Sequence, residues 1–525
     1  MITERRHAKS QTTIIVLVSF ALVLIATLYF HHRIAGLAPY IDEGDMAINA
    51  RIIHRGGLMY KDAFNEKGPG LYWIVAGLFQ LFGDRLELLR YASAVGVSIT
   101  LLILLAFGYR FGSPVAGLVA AALFAVSHFF FQGFIYQAEA PLTPLFMMAA
   151  YLLSAPGEER PKPMAVLFAG VALFCATTVK QTSWLIVFAA GLLLLADLRR
   201  DFRAGVKSLT AFSVGVVVPW CALFALVIYQ GYFSEFLRGY LFPLREYAVD
   251  FYTYFPNRLQ FFVELPLWWA IIVSLVFVLS SRLSFHNRLL CWLMVLATLA
   301  TQFPAMFPYH FPPLLATTSL AFTVAVVCTK PGRRTLRIAG FAGLFVLTGI
   351  AATNIHLHEL QGQFFMPVHP AEKEIVREIQ ERTKTDETIF VFPFNSLYYY
   401  WSDREHPGRH GFFLPWVIPK HVVPEVIDEF NKRPPKLIFF VYYAICTTNG
   451  ALPKDYLAPL LDRIADDYVF EKMFDNKVAM LVPKETISDN IESRSCMAKK
   501  LLYTDLECGR VQEPPMGTWR RECGL

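Results

Sequence analysis

The residues best suited to chemistry are concentrated in the polar segment that follows the first apolar run. An adjacent carboxylate pair, Asp42 and Glu43, opens one helix-like stretch, and Lys67 and Pro69 open an apolar one. A carboxylate can take a proton from a reacting group, and an ammonium can hold a phosphate as a point charge. Glycines beside Pro69 would let a lipid headgroup approach the backbone closely. The segment therefore suggests a base and a phosphate contact beside a lipid surface.

Two interpretations of the carboxylate pair remain open. Acids at the start of a helix cap its free N–H groups and favour its first turn. Alternatively, one acid is a general base held near the bilayer. The following segment, 44–56, carries an apolar stripe of Met46, Ala50 and Ile53 that suits a membrane surface. Capping and catalysis are compatible in two adjacent acids.

Two further ionisable residues lie between apolar runs. Glu139 is the only acid between Glu87 and Glu158, and Lys180 separates two apolar stretches. Ionisable groups at membrane depth are costly and tend to be functional. The alternatives are that Glu139 only caps the following helix and that Lys180 only separates two membrane spans. A lysine on the outer face runs against the usual charge bias, which favours a phosphate contact.

Five other residues are candidates for contact with a substrate. Two of them form a polar pair in an apolar stretch, and one lies in the 230–262 loop, which would cap a sugar site or coat the surface. The five are Tyr60, Tyr72, Tyr309, His310 and Arg238.

Several familiar motifs are absent from the sequence. It has no Walker-type phosphate loop, no CxxC zinc pattern, no HExxH and no GxSxG nucleophile elbow. We therefore expect that no cofactor is required. A divalent metal would be compatible with the acids, but no motif supports one.

Composition predicts the fold class. The chain has 525 residues, of which 55% are hydrophobic and only 17% charged, as in polytopic helical membrane proteins. The net charge of +6 is small for this length, and no basic run suggests nucleic acid as a partner. The run 13–30 ends without a small-residue cleavage site, which predicts an uncleaved signal anchor.

Hydropathy predicts about eleven membrane spans. The run 69–83 is not counted, because as a helix it would reach only about 21 Å against a hydrocarbon core of ~30 Å. We expect it to lie at the interface. The predicted spans are 13–30, 88–108, 114–131, 141–155, 164–179, 181–197, 208–229, 263–281, 289–308, 311–329 and 338–356.

The positive-inside rule orients these spans. With the N-terminus inside, the basic segments 198–207 and 330–337 both lie inside. An odd number of spans then puts the C-terminal region outside. The candidate site residues share that outer face, so one extracytoplasmic site can gather them.

The chain changes character after the last span. Residues 357–484 alternate helical and strand patterns, which predicts a small α/β domain with helices at 371–383, 422–432 and 454–465. Strands are predicted at 388–394, 436–443, 467–474 and 477–482, the last two joined by a turn at Asp475 and Asn476.

The end of the chain, 485–525, has no clear periodicity, and we expect it to be poorly structured. Four cysteines lie in the C-terminal region, and their pairing is open: Cys446, Cys496, Cys508 and Cys523.

As a set, these motifs resemble the GT-C glycosyltransferases, in particular the protein O-mannosyltransferase and lipid A aminoarabinose transferase type. The family pattern is Asp-Glu, then Glu-Lys-Pro-Pro-Leu-Tyr-Trp, then Leu-Phe-Gly, then an arginine. Here the acids are Asp42 and Glu43, residues 66–73 read EKGPGLYW, residues 81–83 read LFG, and the arginine is Arg90. One proline of the pattern is replaced by glycine, and an extra glycine follows the lysine.

The resemblance extends to two later positions. The family places an acid, usually Asp, in the second outer loop and a lysine after the fifth span, where Glu139 and Lys180 stand. It implies that Lys67, helped by Lys180, holds the phosphate of a polyprenyl-phosphate-linked sugar. It also implies that Asp42 takes the proton of an acceptor hydroxyl, while Glu43 and Glu139 orient the acceptor or the sugar.

The function that the resemblance implies is therefore an inverting glycosyl transfer on the outer face of a membrane. The partners implied are the polyprenyl-phosphate sugar, membrane lipids, and an acceptor that is a glycan, lipid A or its core, or a protein. The expected location is a bacterial inner membrane. Two alternatives remain: a transporter or lipid flippase, which would show broken midplane helices and repeated halves, and a non-catalytic scaffold with an outer binding domain.

Overall fold

A computed structural model describes residues 2–156, 160–242, 267–279, 283–302, 307–327, 340, 343, 369–415, 417–418, 421–442, 453–503 and 516–524. Within these ranges, apolar helices make up the first two thirds of the chain, and a small mixed sheet with helices follows. This arrangement confirms the predicted fold class. The predicted boundary at 356–357 lies outside the described residues, as does the predicted span 338–356 apart from residues 340 and 343.

The helical module follows the predicted spans closely. Each of the other ten predicted spans coincides with a helix, and two shorter helices precede the second span. The described helices are α1 (Ile2–Ala35), α2 (Ile41–His54), α3 (Pro69–Phe82), α4 (Glu87–Arg110), α5 (Pro114–Phe130), α6 (Glu139–Leu153), α7 (Pro163–Val179), α8 (Trp184–Leu198), α9 (Phe202–Tyr229), α10 (Phe233–Phe242), α11 (Leu267–Leu279), α12 (Phe285–Ala300) and α13 (Pro312–Val327).

Length and composition mark several of these helices as membrane helices. Among the described residues, four helical segments are long and apolar enough to cross a bilayer: Gln11–Ala35, Glu87–Arg110, Gln181–Leu198 and Phe202–Tyr229. Large apolar side chains on α1 are exposed, for instance Ile14 and Leu22. Exposure of this apolar surface to water would be unfavourable in free energy, whereas contact with lipid tails is favourable.

Small residues let the membrane helices approach each other. A Cβ on Gly108 of α4 would meet the Cα of Gly117 of α5 at 2.6 Å, and a Cβ on Gly170 of α7 would meet the Cα of Gly215 of α9 at 3.1 Å. Inside a bilayer the hydrophobic effect does not drive helices together, so close backbone packing of this kind stabilises their association instead. These contacts hold α4, α5, α7 and α9 as the frame on which the polar loops rest.

The C-terminal region forms the predicted α/β unit. Its sheet has the order β1-β2-β4-β3, with β1 parallel to β2 and the other neighbours antiparallel. Asp475 and Asn476 both adopt left-handed backbone conformations between β3 and β4, as a tight hairpin turn requires. The elements are α14 (Pro370–Arg382), β1 (Ile389–Phe392), α15 (Leu397–Ser402), α16 (Val423–Lys432), β2 (Leu437–Val441), α17 (Pro453–Asp467), β3 (Tyr468–Phe474) and β4 (Val478–Pro483).

The end of the chain is more ordered than the sequence pattern predicts. Instead of a poorly structured tail, it forms α18 (Ile491–Leu502) and α19 (Met516–Cys523), which a disulfide between Cys496 and Cys523 joins. Met497 and Leu501, one turn apart on α18, are fully buried. This short apolar stripe was too weak to distinguish from a solvated segment. Cys446 and Cys508 lie outside the described residues.

The α/β unit contacts the polar segment between α1 and α4 directly. The Arg51 guanidinium of α2 lies 3.8 Å from the centre of the Tyr400 ring and donates to the Tyr400 carbonyl at 2.8 Å. The Asp84 carboxylate accepts a hydrogen bond from the Arg51 side chain and another, at 2.7 Å, from the Tyr400 hydroxyl. Leu397 packs against Gly44, where an added Cβ would meet it at 2.7 Å. The unit therefore braces α2, the helix that begins with the predicted carboxylate pair.

Candidate active site

Helix α2 presents its acids in two directions. Successive residues of an α-helix are rotated by about 100°, so Asp42 and Glu43 cannot face the same neighbour. Asp45 follows Asp42 at i+3 and lies on the same face. Asp42 and Asp45 therefore lie on one face of α2, and Glu43 lies on another.

Glu43 is enclosed by protein donors. Arg90 of α4 donates from Nε to Oε1 at 3.0 Å and from a terminal nitrogen to Oε2 at 2.8 Å. The backbone N–H groups of Tyr136 and Tyr40 donate to Oε1 at 3.1 Å and to Oε2 at 2.8 Å. The side chain is inaccessible to solvent. This geometry contradicts the expectation that Glu43 orients a sugar or acceptor, because no free face of the carboxylate remains.

Asp42 lies in a different setting, facing the loops that carry Lys67 and Gln137. The Gln137 amide donates to Asp42 Oδ2 at 2.9 Å. Burial raises the pKa of Asp42, and the nearby Lys67 ammonium opposes that rise. A carboxylate whose pKa is raised is a stronger base than one in water, which suits proton abstraction.

Asp45 is a site residue that the sequence interpretation did not single out. Asn65 donates to its Oδ2 at 2.5 Å, and Asn49 donates to its Oδ1 at 3.1 Å. Burial raises its pKa well above the ordinary value, against the influence of Lys67. Its i+3 spacing from Asp42 on a predicted helix is the one sequence signal for it, and that spacing alone does not separate it from ordinary surface charge.

Lys67 is held among acids. Its Nζ lies 3.4 Å from Glu66, its N–H donates to the Asn65 side chain at 3.1 Å, and its carbonyl accepts from the Tyr60 hydroxyl at 2.8 Å. Burial alone would lower the pKa of Lys67, but Glu66, Asp42, Asp45 and Glu139 raise it above its ordinary value. The Lys67 ammonium is therefore firmly charged and surrounded by acids.

The Gly-Pro-Gly segment after Lys67 brings the second lysine close. A Cβ on Gly68 would meet the Thr178 carbonyl oxygen at 2.1 Å, and one on Gly70 would meet the Thr178 hydroxyl at 2.4 Å. The Gly68 N–H donates to the Val179 carbonyl at 3.1 Å. These glycines thus admit the end of α7 rather than the expected lipid headgroup, and Lys180 follows at once. Pro69 starts α3 as predicted.

Glu139 and Lys180 form the other half of the cluster. Lys180 Nζ lies 2.6 Å from Glu139 Oε1. Glu139 Oε2 is buried and has no hydrogen-bond partner among the described residues. Glu139 also lines a small cavity with His128, Thr143 and Tyr309. One carboxylate oxygen is thus left to accept a hydrogen bond from a group that enters.

The five candidates for substrate contact divide into three groups. Tyr60 and Tyr72 are fully buried beneath the cluster, where Tyr60 supports the Lys67 backbone. Tyr309 lines the Glu139 cavity. The His310 ring packs against the Tyr309 ring, with 4.7 Å between the ring centres. Arg238 is 73% exposed on α10 and pairs with Glu235, so no described contact brings it to the cluster. The described contacts thus place Tyr309 and His310 at the cluster, give Tyr60 and Tyr72 a supporting position beneath it, and do not connect Arg238 with it.

An apolar groove adjoins the polar cluster. It is open, has a volume of about 500 Å³, and lies between α3, α4 and the start of α6. Pro141 and Ala140, which follow Glu139, form part of its wall. A long apolar chain lying in this groove would have its polar end beside Glu139 and Lys180. Its other lining residues include Ile74, Leu78, Tyr91, Val95, Ile99 and Tyr136.

Comparisons with known proteins agree with this architecture. Residues 66–223 match the family described as dolichyl-phosphate-mannose-protein mannosyltransferase. The fold is similar to that of ArnT from Cupriavidus metallidurans bound to undecaprenyl phosphate, with a TM-score of 0.57 and 14% identity over 90% of this chain and 98% of that chain. The apo state of the same protein gives a TM-score of 0.55, with the same identity and coverage.

A more distant likeness is to an oligosaccharyltransferase from Archaeoglobus fulgidus, with a TM-score of 0.49 and 13% identity over 90% of this chain and 74% of that chain. No curated protein matches the sequence. The match of residues 66–223 to this mannosyltransferase family and the ArnT-like fold of the chain both agree with the resemblance seen in the sequence.

Proposed function

We propose that the chain is an inverting glycosyltransferase that moves a sugar from a polyprenyl-phosphate carrier to an acceptor hydroxyl on the outer face of the membrane. The observation that carries this proposal is the cluster in which Asp42 and Glu139 lie with Lys67 and Lys180 at the mouth of an apolar groove. The family match supports it, as does the likeness to a protein solved with undecaprenyl phosphate.

The donor is bound through its two unlike ends. The prenyl chain lies in the apolar groove, whose wall ends at Ala140 and Pro141. The phosphate then reaches Lys67 and Lys180, which act as point charges on its oxygens. The negative charge on that phosphate grows as the sugar leaves, so cations placed here favour the transition state over the ground state.

Asp42 is the proposed general base. Its carboxylate takes the proton of the acceptor hydroxyl as the hydroxyl oxygen forms a bond to the anomeric carbon. The bond from that carbon to the phosphate oxygen breaks on the opposite side, and its electron pair leaves with the prenyl phosphate. One displacement of this kind inverts the anomeric carbon. A positioned base typically contributes about 10²–10⁴ in rate.

Glu139 and Glu43 have different proposed roles. The free Oε2 of Glu139 accepts a hydrogen bond from a sugar or acceptor hydroxyl, while its Oε1 keeps Lys180 in place. Glu43 is a positioning residue, since its pairing with Arg90 fixes the first turn of α2 and therefore the direction of Asp42. Two ammonium groups meet the leaving phosphate, so no step of this proposal needs a metal.

We propose that the site faces the extracytoplasmic side of a bacterial inner membrane. Positive-inside orientation places the outer loop and the α/β unit together, and the contacts of Arg51 with Tyr400 and Asp84 require them to share a side. The Cys496–Cys523 disulfide is typical of an oxidising compartment. The acceptor is a hydroxyl of a glycan, of lipid A or its core, or of a protein.

The deciding experiment is transfer of a labelled sugar from a prenyl-phosphate donor by the purified full-length protein. Asp42→Asn should lower transfer by about 10²–10⁴-fold with the protein still folded in the membrane. Glu87→Gln, an exposed acid at the start of α4, is the matched control and should transfer at the wild-type rate. Wild-type transfer by Asp42→Asn would remove the base assignment. Movement of the intact donor without label transfer would indicate a flippase instead.

A further inference from the structure

A buried histidine in the α/β unit has no hydrogen bond to explain its burial. His410 is 2% exposed, and neither ring nitrogen has a hydrogen-bond partner within the described part of the chain. Its Nε2 lies 3.4 Å from Glu425 Oε1 without the alignment of a hydrogen bond. Buried polar groups of this kind call for a missing partner, and an ion is one such partner.

Two carboxylates converge on this imidazole. Glu425 and Glu429 are one turn apart on α16, and one ligand atom of each lies with a His410 nitrogen in a group no more than 4.8 Å across. Gly408 makes room for this arrangement, because a Cβ there would meet the Glu429 carboxyl carbon at 1.9 Å. The loop and the helix are therefore packed so that the Glu429 carboxylate turns inward.

The donor set is that of a divalent transition metal. One imidazole nitrogen and two carboxylate oxygens suit Zn²⁺ or Mn²⁺ and leave positions open for water. The Arg409 guanidinium donates to both Glu425 oxygens, at 2.5 and 2.9 Å, and the Arg409 backbone N–H donates to Glu429 Oε1 at 2.9 Å, so this residue orients both carboxylates.

The cluster is reachable from solvent. A polar cleft between the α/β unit and the outer loop is lined by Glu429, Arg409 and His406 on one side and by Lys61 and Asp62 on the other. Glu429 is half-buried and lines this cleft, and the side chain of Glu425 is exposed, so an ion from solvent can reach both carboxylates.

We propose that His410, Glu425 and Glu429 bind a divalent metal ion of the Zn²⁺ or Mn²⁺ class. The ion fixes the α/β unit on the outer loop, because the His410 ring lies 4.8 Å from the Phe64 ring and Arg409 donates to the Tyr60 carbonyl. Phe64 is three residues before Lys67. This site is separate from the proposed transfer site and does not depend on the transferase activity.

The test measures metal binding by the full-length protein in detergent after treatment with a chelator. Titration with Zn²⁺ and with Mn²⁺, followed by bound metal per chain and by thermal unfolding, should show a stoichiometric ion that raises the unfolding temperature. His410→Gln and Glu429→Gln should each weaken that binding at least ~10-fold. Asp428→Asn, on the same helix but paired with Lys432 at the surface, should bind as the wild type does.

The two ligand variants keep the test decisive. If His410→Gln fails to fold, Glu429→Gln still reports, since its side chain is half-buried and amide and carboxylate have the same shape. Failure of the wild-type protein to bind either ion stoichiometrically would overturn the proposal. Unchanged affinity in Glu429→Gln would overturn it too, because the ion would then lie elsewhere. Neither result bears on the Asp42 experiment.

Discussion

Two ion pairs lie at the candidate active site, and they differ in how completely the hydrogen-bonding capacity of their carboxylates is filled. In the Glu43–Arg90 pair, three hydrogen bonds join the guanidinium to the carboxylate, and backbone N–H groups complete the set. In the Glu139–Lys180 pair, one contact of 2.6 Å joins the two side chains, and the other carboxylate oxygen has no partner among the described residues.

This difference indicates that the Glu43–Arg90 pair supports the fold, whereas the Glu139–Lys180 pair can contact a ligand. A buried charge is tolerated when its hydrogen-bonding capacity is filled, and Arg90 also donates to the carbonyls of Ile34 and Ala38. Such a pair holds the end of α1, the start of α2 and α4 in one geometry. A pair with an unused oxygen in a cavity keeps capacity for a ligand, which is the proposed role of Glu139.

The largest expected effect breaks the satisfied pair. Arg90→Met leaves the Glu43 carboxylate buried and uncompensated, which should cost about 3–5 kcal/mol in the free energy of unfolding. Thermal unfolding and the yield of monodisperse protein in detergent would measure the loss. Arg85→Met removes an exposed arginine nearby and should leave both unchanged. Equal stability of Arg90→Met and the wild type would contradict the supporting role of this pair.

The next prediction tests the unsatisfied pair. Glu139→Gln should lower sugar transfer by on the order of 10²-fold, since a preorganised hydrogen-bonding group beside the reacting centre is lost. Its stability loss should be smaller than that of Arg90→Met, because Lys180 keeps 18% of its side-chain surface exposed and so retains access to solvent. The measurement is the transfer assay run beside thermal unfolding.

Glu235→Gln, whose carboxyl meets the exposed Arg238, serves as control for the charge change. If Glu139→Gln unfolded as readily as Arg90→Met while the folded fraction transferred sugar normally, the two pairs would have the same role. That outcome would end the distinction between them.

The same contrast explains what sequence could and could not predict. Adjacent acids after the first span predicted a functional pair, but a helix turns them apart, and only the fold reveals that Arg90 lies against Glu43. Their partners are 47 and 95 residues away in the chain, on other helices and loops. Asp45 was hidden because an isolated acid at i+3 is indistinguishable from ordinary surface charge until the burial of that face is known.

The overall architecture was more predictable than the site. Apolar runs gave the helices because long hydrophobic stretches have few alternatives in a bilayer, and alternating patterns gave the four strands of the α/β unit. The segment 491–502 was missed because its four buried apolar residues are confined to its last two turns, 497–502, and a disulfide supplies part of its order. The docking of Tyr400 and Leu397 on α2 has no local signal, since it depends on the meeting of two separately folded surfaces.

A third prediction moves the helix that carries the satisfied pair. In Gly44→Ala, the new Cβ would meet Leu397 side-chain atoms at 2.7 and 2.8 Å and its backbone nitrogen at 2.9 Å. Overpacking of this kind should cost about 1–3 kcal/mol in stability and displace α2 from the α/β unit. Transfer should fall through kcat, because Asp42 moves with the helix.

Leu397→Ala in the same chain should restore part of the loss, since it removes the side-chain clash and leaves the backbone one. Gly77→Ala, on α3, has no atom within 4 Å of the added Cβ and should be neutral. Gly44→Ala with wild-type stability and transfer would show that the α/β unit does not brace α2.

The smallest expected effect distinguishes the two lysines by pH. Asp42 must be ionised to act as a base, so kcat/KM should fall as pH decreases through its pKa, which burial raises and Lys67 lowers. Lys67→Met removes the opposing charge, so the acid limb should shift to higher pH, whatever the loss in absolute rate. Lys180→Met should leave the midpoint near that of the wild type, since the Lys180 ammonium pairs with Glu139 instead. Profiles of kcat/KM against pH for the wild type and the two variants would measure the midpoint of the acid limb. An equal shift of that midpoint in both variants would mean that the titrating group is not Asp42 but a group shared by the whole cluster.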